Sequence, residues 1–221
     1  ALTVWNNLLV AAGYSTPGST PSIRTWNGNT WNTLPNPPNL QRPTAAVSFQ
    51  GLLCVGGDQL TAAAPGVLER WNGSAWASSF LCYSTTSFTG QITCLAVRPS
   101  IAVGGTDTLY VGGYFTQIGT TLATSLASTT NITSPSWSPV AANTTSECIA
   151  LQARTVGLSG LTVTAAFAGT THGVRQFSSS TGTWSTLGSL PAGPSSLVFY
   201  GGSYHGTHAA QSTACVRWNG S

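Results

Sequence analysis

The chain has 221 residues, of which only 5% are charged; seven Arg, four acids and no Lys leave a formal net charge of +3. Scattered arginines without a basic cluster exclude a charge-driven nucleic-acid or membrane-surface binder, and no apolar run approaches the roughly 18 residues of a membrane-spanning helix. With 41% hydrophobic and 10% aromatic residues the composition also excludes intrinsic disorder.

From the N-terminus, short apolar runs ending in small residues alternate with tryptophan-bearing turns. LLVAAGY (Leu8 to Tyr14) precedes RTWNGNTW (Arg24 to Trp31). Next come the alternating run Ala45 to Phe49, a turn at Gln50-Gly51, the run Leu52 to Val55 ending in Gly56-Gly57, and RWNGSAW (Arg70 to Trp76). Alternation with period two reads as half-buried strand, and Asn-Gly tolerates the positive φ of a tight hairpin. LYVGGYF (Leu109 to Phe115), LTVTAAF (Leu161 to Phe167) and FYGGSYHG (Phe199 to Gly206) continue the series. The second tryptophan recurs at Trp31, Trp76, Trp137 and Trp184, at intervals of 45, 61 and 47 residues, so the third copy carries an insertion. Helix formers with a charged face are missing throughout, including Thr120 to Thr130.

About 44 residues per copy is the length of four short strands with turns. The segment LYVGGYFTQIG (Leu109 to Gly119) and the WNGSAW hairpin resemble the repeats of kelch-like β-propeller proteins. That resemblance implies an all-β propeller of about five four-stranded blades, over residues 1–43, 44–88, 89–146, 147–192 and 193–221, of a non-enzymatic, extracellular type. Trp26, Trp31, Trp71, Trp76, Trp137, Trp184 and Trp218 are then expected to pack blade on blade. The last copy ends just after its Trp218-Asn219-Gly220 turn, so its closing strand is expected to be absent and the edge near Cys215 to Ser221 to be covered by another chain or by further residues. Ala1 reads as the start of a mature chain without a signal peptide.

Chemistry-bearing residues are few. Asp58, Glu69, Asp107 and Glu147 are scattered, whereas a glycosidase needs two carboxyl groups within about 5–10 Å. His205 and His208 form an H-x-x-H pair, with His172 elsewhere and Asp58 as a conceivable third ligand, but residues three apart on a strand face opposite ways, so the pair reads as strand or turn. Nucleotide-binding and serine-nucleophile motifs are absent, and neither a cofactor nor a metal is expected. The five cysteines, Cys54, Cys82, Cys94, Cys148 and Cys215, contain no C-x-x-C pair. Cys82 and Cys94 flank one turn and are the expected disulfide, while Cys94 and Cys148 occupy matching positions in successive copies, which fits buried strand residues equally well. N-glycosylation sequons stand at Asn72, Asn131, Asn143 and Asn219, with Asn131 and Asn143 in the insertion.

Two functions fit these features. The first is a structural or interaction subunit of an extracellular assembly, such as a filament, cell-surface layer or virion surface, associating with itself or with other surface proteins. The second is a lectin-like propeller with Trp5, Tyr14, Tyr83, Tyr114 and Tyr204 as the aromatic platforms for glycans.

Overall fold

The structure, a computed structural model, describes the chain apart from residues 16–19, 60–63, 85–86, 88, 101–102, 141–147, 157–159, 168–172, 179–182, 190–193, 201–202, 209–214 and 219–221; side chains are described chiefly up to Cys148. Among the described residues there is no helix, and the strands form five antiparallel sheets. The first sheet is β1 (Leu2–Trp5), β2 (Leu8–Ser15), β3 (Thr20–Trp26) and β4 (Trp31–Thr33). The second is built on β5 (Arg42–Phe49), β6 (Leu52–Asp58), β7 (Gly66–Trp71) and β8 (Trp76–Tyr83). The third begins with β9 (Gln91–Arg98) and β10 (Thr108–Tyr114). There the chain departs from the expected four strands per repeat: β11 (Gln117–Ile118) and β12 (Thr121–Leu122) cross over and extend the second sheet to six strands. β13 (Leu126–Thr129) and β14 (Ser138–Pro139) then complete the third sheet. The fourth holds β15 (Cys148–Val156), β16 (Gly160–Phe167), β17 (Gly173–Ser178) and β18 (Thr183–Ser189), and the fifth β19 (Pro194–Tyr200), β20 (Ser203–His208) and β21 (Cys215–Trp218).

Local chemistry explains the hairpins. Asn6 and Asn7 (φ 48° and 60°) and Gln50 and Gly51 (φ 53° and 76°) supply the consecutive left-handed residues of a two-residue turn. At the later turns Gly28 and Gly73 take φ of 102° and 104°. The preceding asparagines cap them: Asn27 Oδ1 accepts from the backbone N–H of Asn29 and Thr30, and Asn72 Oδ1 from those of Ser74 and Ala75, each at 2.9 Å. These turns set Trp26 against Trp31 and Trp71 against Trp76, with ring centroids 5.5 and 5.3 Å apart.

Successive sheets touch through their first strands: β1 and β2 lie on β5, β5 on β9, β9 on β15 and β15 on β19. Between the first two sheets Val10, Ala12 and Ile23 meet Leu53, Val55 and Val67 in one apolar layer, and between the second and third Phe49, Cys54 and Leu68 meet Ile92, Leu109 and Val111. Each fully buried Leu, Ile or Val contributes roughly 1.5–3 kcal/mol.

A polar contact repeats beside these layers. The register of β5 against β6 skips at Thr44 and that of β9 against β10 skips at Thr93, so both residues are bulges in a first strand. Thr44 Oγ1 donates to the carbonyl of Ile92 at 2.5 Å, and Thr93 Oγ1 donates to that of Cys148. The second sheet is thus joined to the third by the same hydroxyl that joins the third to the fourth. Thr44→Val and Thr93→Val keep the shape and remove the donor, so each is expected to lower the unfolding free energy by about 1 kcal/mol in a urea titration, with the denaturant slope unchanged.

Candidate functional site: the open face of the first sheet

Strand pairing sorts the first sheet into two faces. Val4 pairs with Leu9, Leu9 with Trp26, Trp26 with Trp31, and Ala11 with both Leu2 and Arg24, so all of these lie on one side. The opposite side carries Trp5, Val10 and Ile23 and is buried on the second sheet. The first side is open, with Leu2 71%, Val4 61% and Trp31 46% exposed.

Its counterpart in the second sheet is closed. Aligning the Trp26–Trp31 and Trp71–Trp76 hairpins matches Leu9 to Leu53, Ala11 to Val55, Ser22 to Val67 and Arg24 to Glu69. Leu53, Val55, Val67 and Glu69 are completely buried beneath the first sheet. Glu69 Oε1 there accepts from the backbone N–H of Asn39, in the link between the sheets. A surface that one repeat buries is therefore displayed by the other. Near the end of β2 lies an open cleft of about 370 Å³ lined by Ala11 to Ser15, Ser22 and Arg24. Gly13, Ser15, Ser22 and Arg24 belong to the open face, whereas the exposed Tyr14 alternates to the opposite side, toward Arg42 of β5.

The other aromatic candidates do not gather here. Trp5 is corrected: it is buried, with its Nε1–H donating to the carbonyl of Gly51 at 2.9 Å, so it packs sheet on sheet and offers no platform. Tyr83 is half-buried and its hydroxyl accepts from Gln117 Nε2 at 2.7 Å, while Tyr114 stands exposed at the end of β10. Tyr204 lies on β20, its side chain outside the described residues.

The tryptophans divide likewise. Trp71 and Trp76 join the layer beneath the first sheet, and Trp76 Nε1–H donates to the carbonyl of Pro35 at 2.7 Å. Trp137 is buried between the second and third sheets, edge-on to Phe80 with centroids 6.0 Å apart. Trp26 and Trp31 differ from the expected packing role because they lie on the open face. Trp184 pairs in register with Phe177 and Trp218 with Tyr204; their side chains lie outside the described residues.

Charged groups serve the fold. Asp58 is buried and held by Arg42 through two bonds, Nε to Oδ1 at 2.6 Å and Nη2 to Oδ2 at 2.5 Å, and that hydrogen bonding raises the Arg42 pKa. Arg70 lies 4.7 Å above the Phe80 ring and donates to the carbonyl of Ile132. Asp107 Oδ1 accepts from the Ser100 N–H at 2.8 Å. Among the described residues no three His, Cys, Asp or Glu side chains come together as a metal site. Glu147 and His172 lie outside the described residues, as do the side chains of His205 and His208.

Cys82 and Cys94, the pair expected from the sequence, stand in different sheets. Both are buried thiols, and Cys82 closes β8 in the second sheet whereas Cys94 belongs to the third and has its sulfur 3.7 Å from that of Cys148. Burial pushes the Cys54 thiol up to about 12 and raises that of Cys82 as well. Of the sequons, Asn72 and Asn131 are exposed. Asn131 Oδ1 accepts from the N–H groups of Thr133 and Ser134, and the loop is pinned to the second sheet by Gln50, whose amide donates to Thr130 O and accepts from Ile132 N–H. Asn143 and Asn219 lie outside the described residues.

Among the described residues no helix is long and apolar enough to cross a membrane. A scan against protein-family models matches none to this chain, and a search of curated proteins finds no match either.

Proposed function

We propose that the chain is a propeller-like, non-enzymatic subunit of an extracellular assembly, which associates with copies of itself through the open face of the first sheet. One observation carries this reading: the face that displays Leu2, Val4, Leu9 and Trp31 corresponds to the face of the second sheet that is buried under a neighbouring repeat, with Leu9 matching the buried Leu53 and Trp31 matching Trp76, which packs against that layer. The occupant it suits is another sheet of the same kind, supplied by a second copy. The propeller arrangement is supported by the recurring first-strand contacts and by the Thr44 and Thr93 hydroxyls, which relate successive sheets in the same way. Exposed sequons at Asn72 and Asn131 and a surface poor in charge suit an extracellular particle.

Light scattering over a range of concentrations tests self-association. The expected result is a multiple of the 22.7 kDa chain mass that falls to a single copy in Leu9→Asp and Val4→Asp, with the far-ultraviolet circular dichroism unchanged. A single-copy mass for the unaltered chain at every concentration overturns the proposal.

The cleft favours a second reading, carbohydrate recognition, because the Arg24 guanidinium and the Ser15 and Ser22 hydroxyls on the open face can satisfy the hydroxyls of a sugar. Calorimetric binding of neutral oligosaccharides that is lost in Arg24→Ala, on a chain of single-copy mass, selects this reading.

A further inference from the structure

Cys94 lies on β9 and Cys148 opens β15, first strands of consecutive sheets that lie against one another. Both side chains are buried, Cys148 completely, and their sulfurs are in contact at 3.7 Å. Bonded sulfurs are about 2.05 Å apart, so joining them takes an approach of about 1.6 Å.

The surroundings are shaped for two sulfurs. A Cβ placed on Gly112 of β10 would stand 2.7 Å from the Cys94 sulfur and 2.8 Å from that of Cys148. The bare backbone of Gly112 is what admits the pair. The matching place between the second and third sheets, at Gly56, is filled by the side chain of Ile92, with Ala45 in the position of Cys94. An alanine and an isoleucine in one interface are thus exchanged for two cysteines in the next, a joint replacement that preserves filled volume. Cys54 and Cys82 belong instead to the apolar layer between the second and third sheets.

We propose that Cys94 and Cys148 form a disulfide that fastens the third sheet to the fourth, with a low-molecular-weight disulfide as oxidant. The Cys94 thiolate attacks one sulfur of that oxidant and releases a small thiolate, leaving a mixed disulfide; the Cys148 thiolate then attacks the Cys94 sulfur and releases the second. Two S–H bonds and the oxidant's S–S bond are broken, one S–S bond is formed within the chain, and both protons and both electrons end on two small thiols. Exchange takes place before the sheets close, because both sulfurs are buried afterwards. The bond ties together residues 54 positions apart, which restricts the unfolded chain strongly.

The test is to refold the full chain in mixed reduced and oxidised glutathione, block thiols under denaturing conditions and map peptides without reduction. The expected result is a Cys94–Cys148 linked peptide that dithiothreitol abolishes. The thermal midpoint of the oxidised chain is expected to exceed that of the reduced chain by roughly 10 °C. That difference should vanish in Cys94→Ala and Cys148→Ala and persist in Cys82→Ala. A linked peptide joining Cys82 to Cys94, or full blocking of both Cys94 and Cys148 after oxidative refolding, overturns the proposal. The map of the unaltered chain decides even where a variant does not fold.

Discussion

Gly57→Ala and Gly113→Ala are each expected to remove roughly 3–5 kcal/mol of stability, a large share of the 5–15 kcal/mol of an ordinary domain. A Cβ at Gly57 would stand 1.9 Å from the carbonyl oxygen of Arg42, and one at Gly113 1.9 Å from that of Gln91. Both oxygens are backbone atoms beside the bulges at Thr44 and Thr93, where the first strand bends toward the second. No side-chain rotation relieves such a clash, so the bulge itself has to unwind and its hydroxyl bond to the next sheet goes with it. Gly13 holds the corresponding place in the first sheet, yet a Cβ there meets nothing within 4 Å. Gly13→Ala is therefore expected to change stability by less than about 1 kcal/mol, because the added methyl group enters open space. Urea midpoints for the three variants check this; equal midpoints for Gly57→Ala and Gly13→Ala contradict it.

Raising the pH above 9 is expected to destabilise the chain progressively. In the folded state Cys54 keeps its proton to about pH 12, because burial disfavours the thiolate, against an ordinary value of 9.0. The unfolded chain releases this proton first. The contribution is therefore complete below pH 9 and is lost as the pH climbs to 12, by about 4 kcal/mol in all. Cys82 is shifted the same way, as is Tyr110, whose burial outweighs the attraction of Arg98. Chemical unfolding followed from pH 8 to 11 should show a falling midpoint, with a shallower fall in Cys54→Ala. A thiol reagent added to the folded chain at pH 8 should leave Cys54 and Cys82 unmodified. A flat profile across that range would show that these thiols are not sealed from water.

Much of the fold was legible because the turn chemistry is local. Asn27-Gly28 and Asn72-Gly73 announce hairpins through two residues alone, and the paired tryptophans follow from the strand period. The paired glycines of LLCVGG and LYVGGYF stand where the backbone of the first strand comes close, but the approaching atoms, Arg42 O and Gln91 O, are set by bulges that leave no mark in composition. What failed depended on which sheet a residue joins. Cys82 and Cys94 are neighbours in sequence and suggest a bond, but the chain changes sheets between them, and the contact falls instead on Cys148. Trp5 looked like a rim aromatic because nothing local reveals that its indole N–H meets Gly51, in a turn of the following repeat. The open face was hidden for the same reason: Leu9 and Leu53 look alike in sequence, and only the position of a neighbouring sheet separates them.

The short crossover of β11 and β12 makes the repeats interdependent. Gln117 and Ile118 pair with Tyr83 and Cys82 along the margin of β8, and the N–H of Gly119 donates to the carbonyl of Leu81 at 2.8 Å. Cutting the polypeptide between the second and third repeats would unclasp that margin and bare the backbone of β8, so a fragment ending there inherits a sticky border. A piece duplicated, transplanted or swapped with that border intact therefore carries the second and third repeats together.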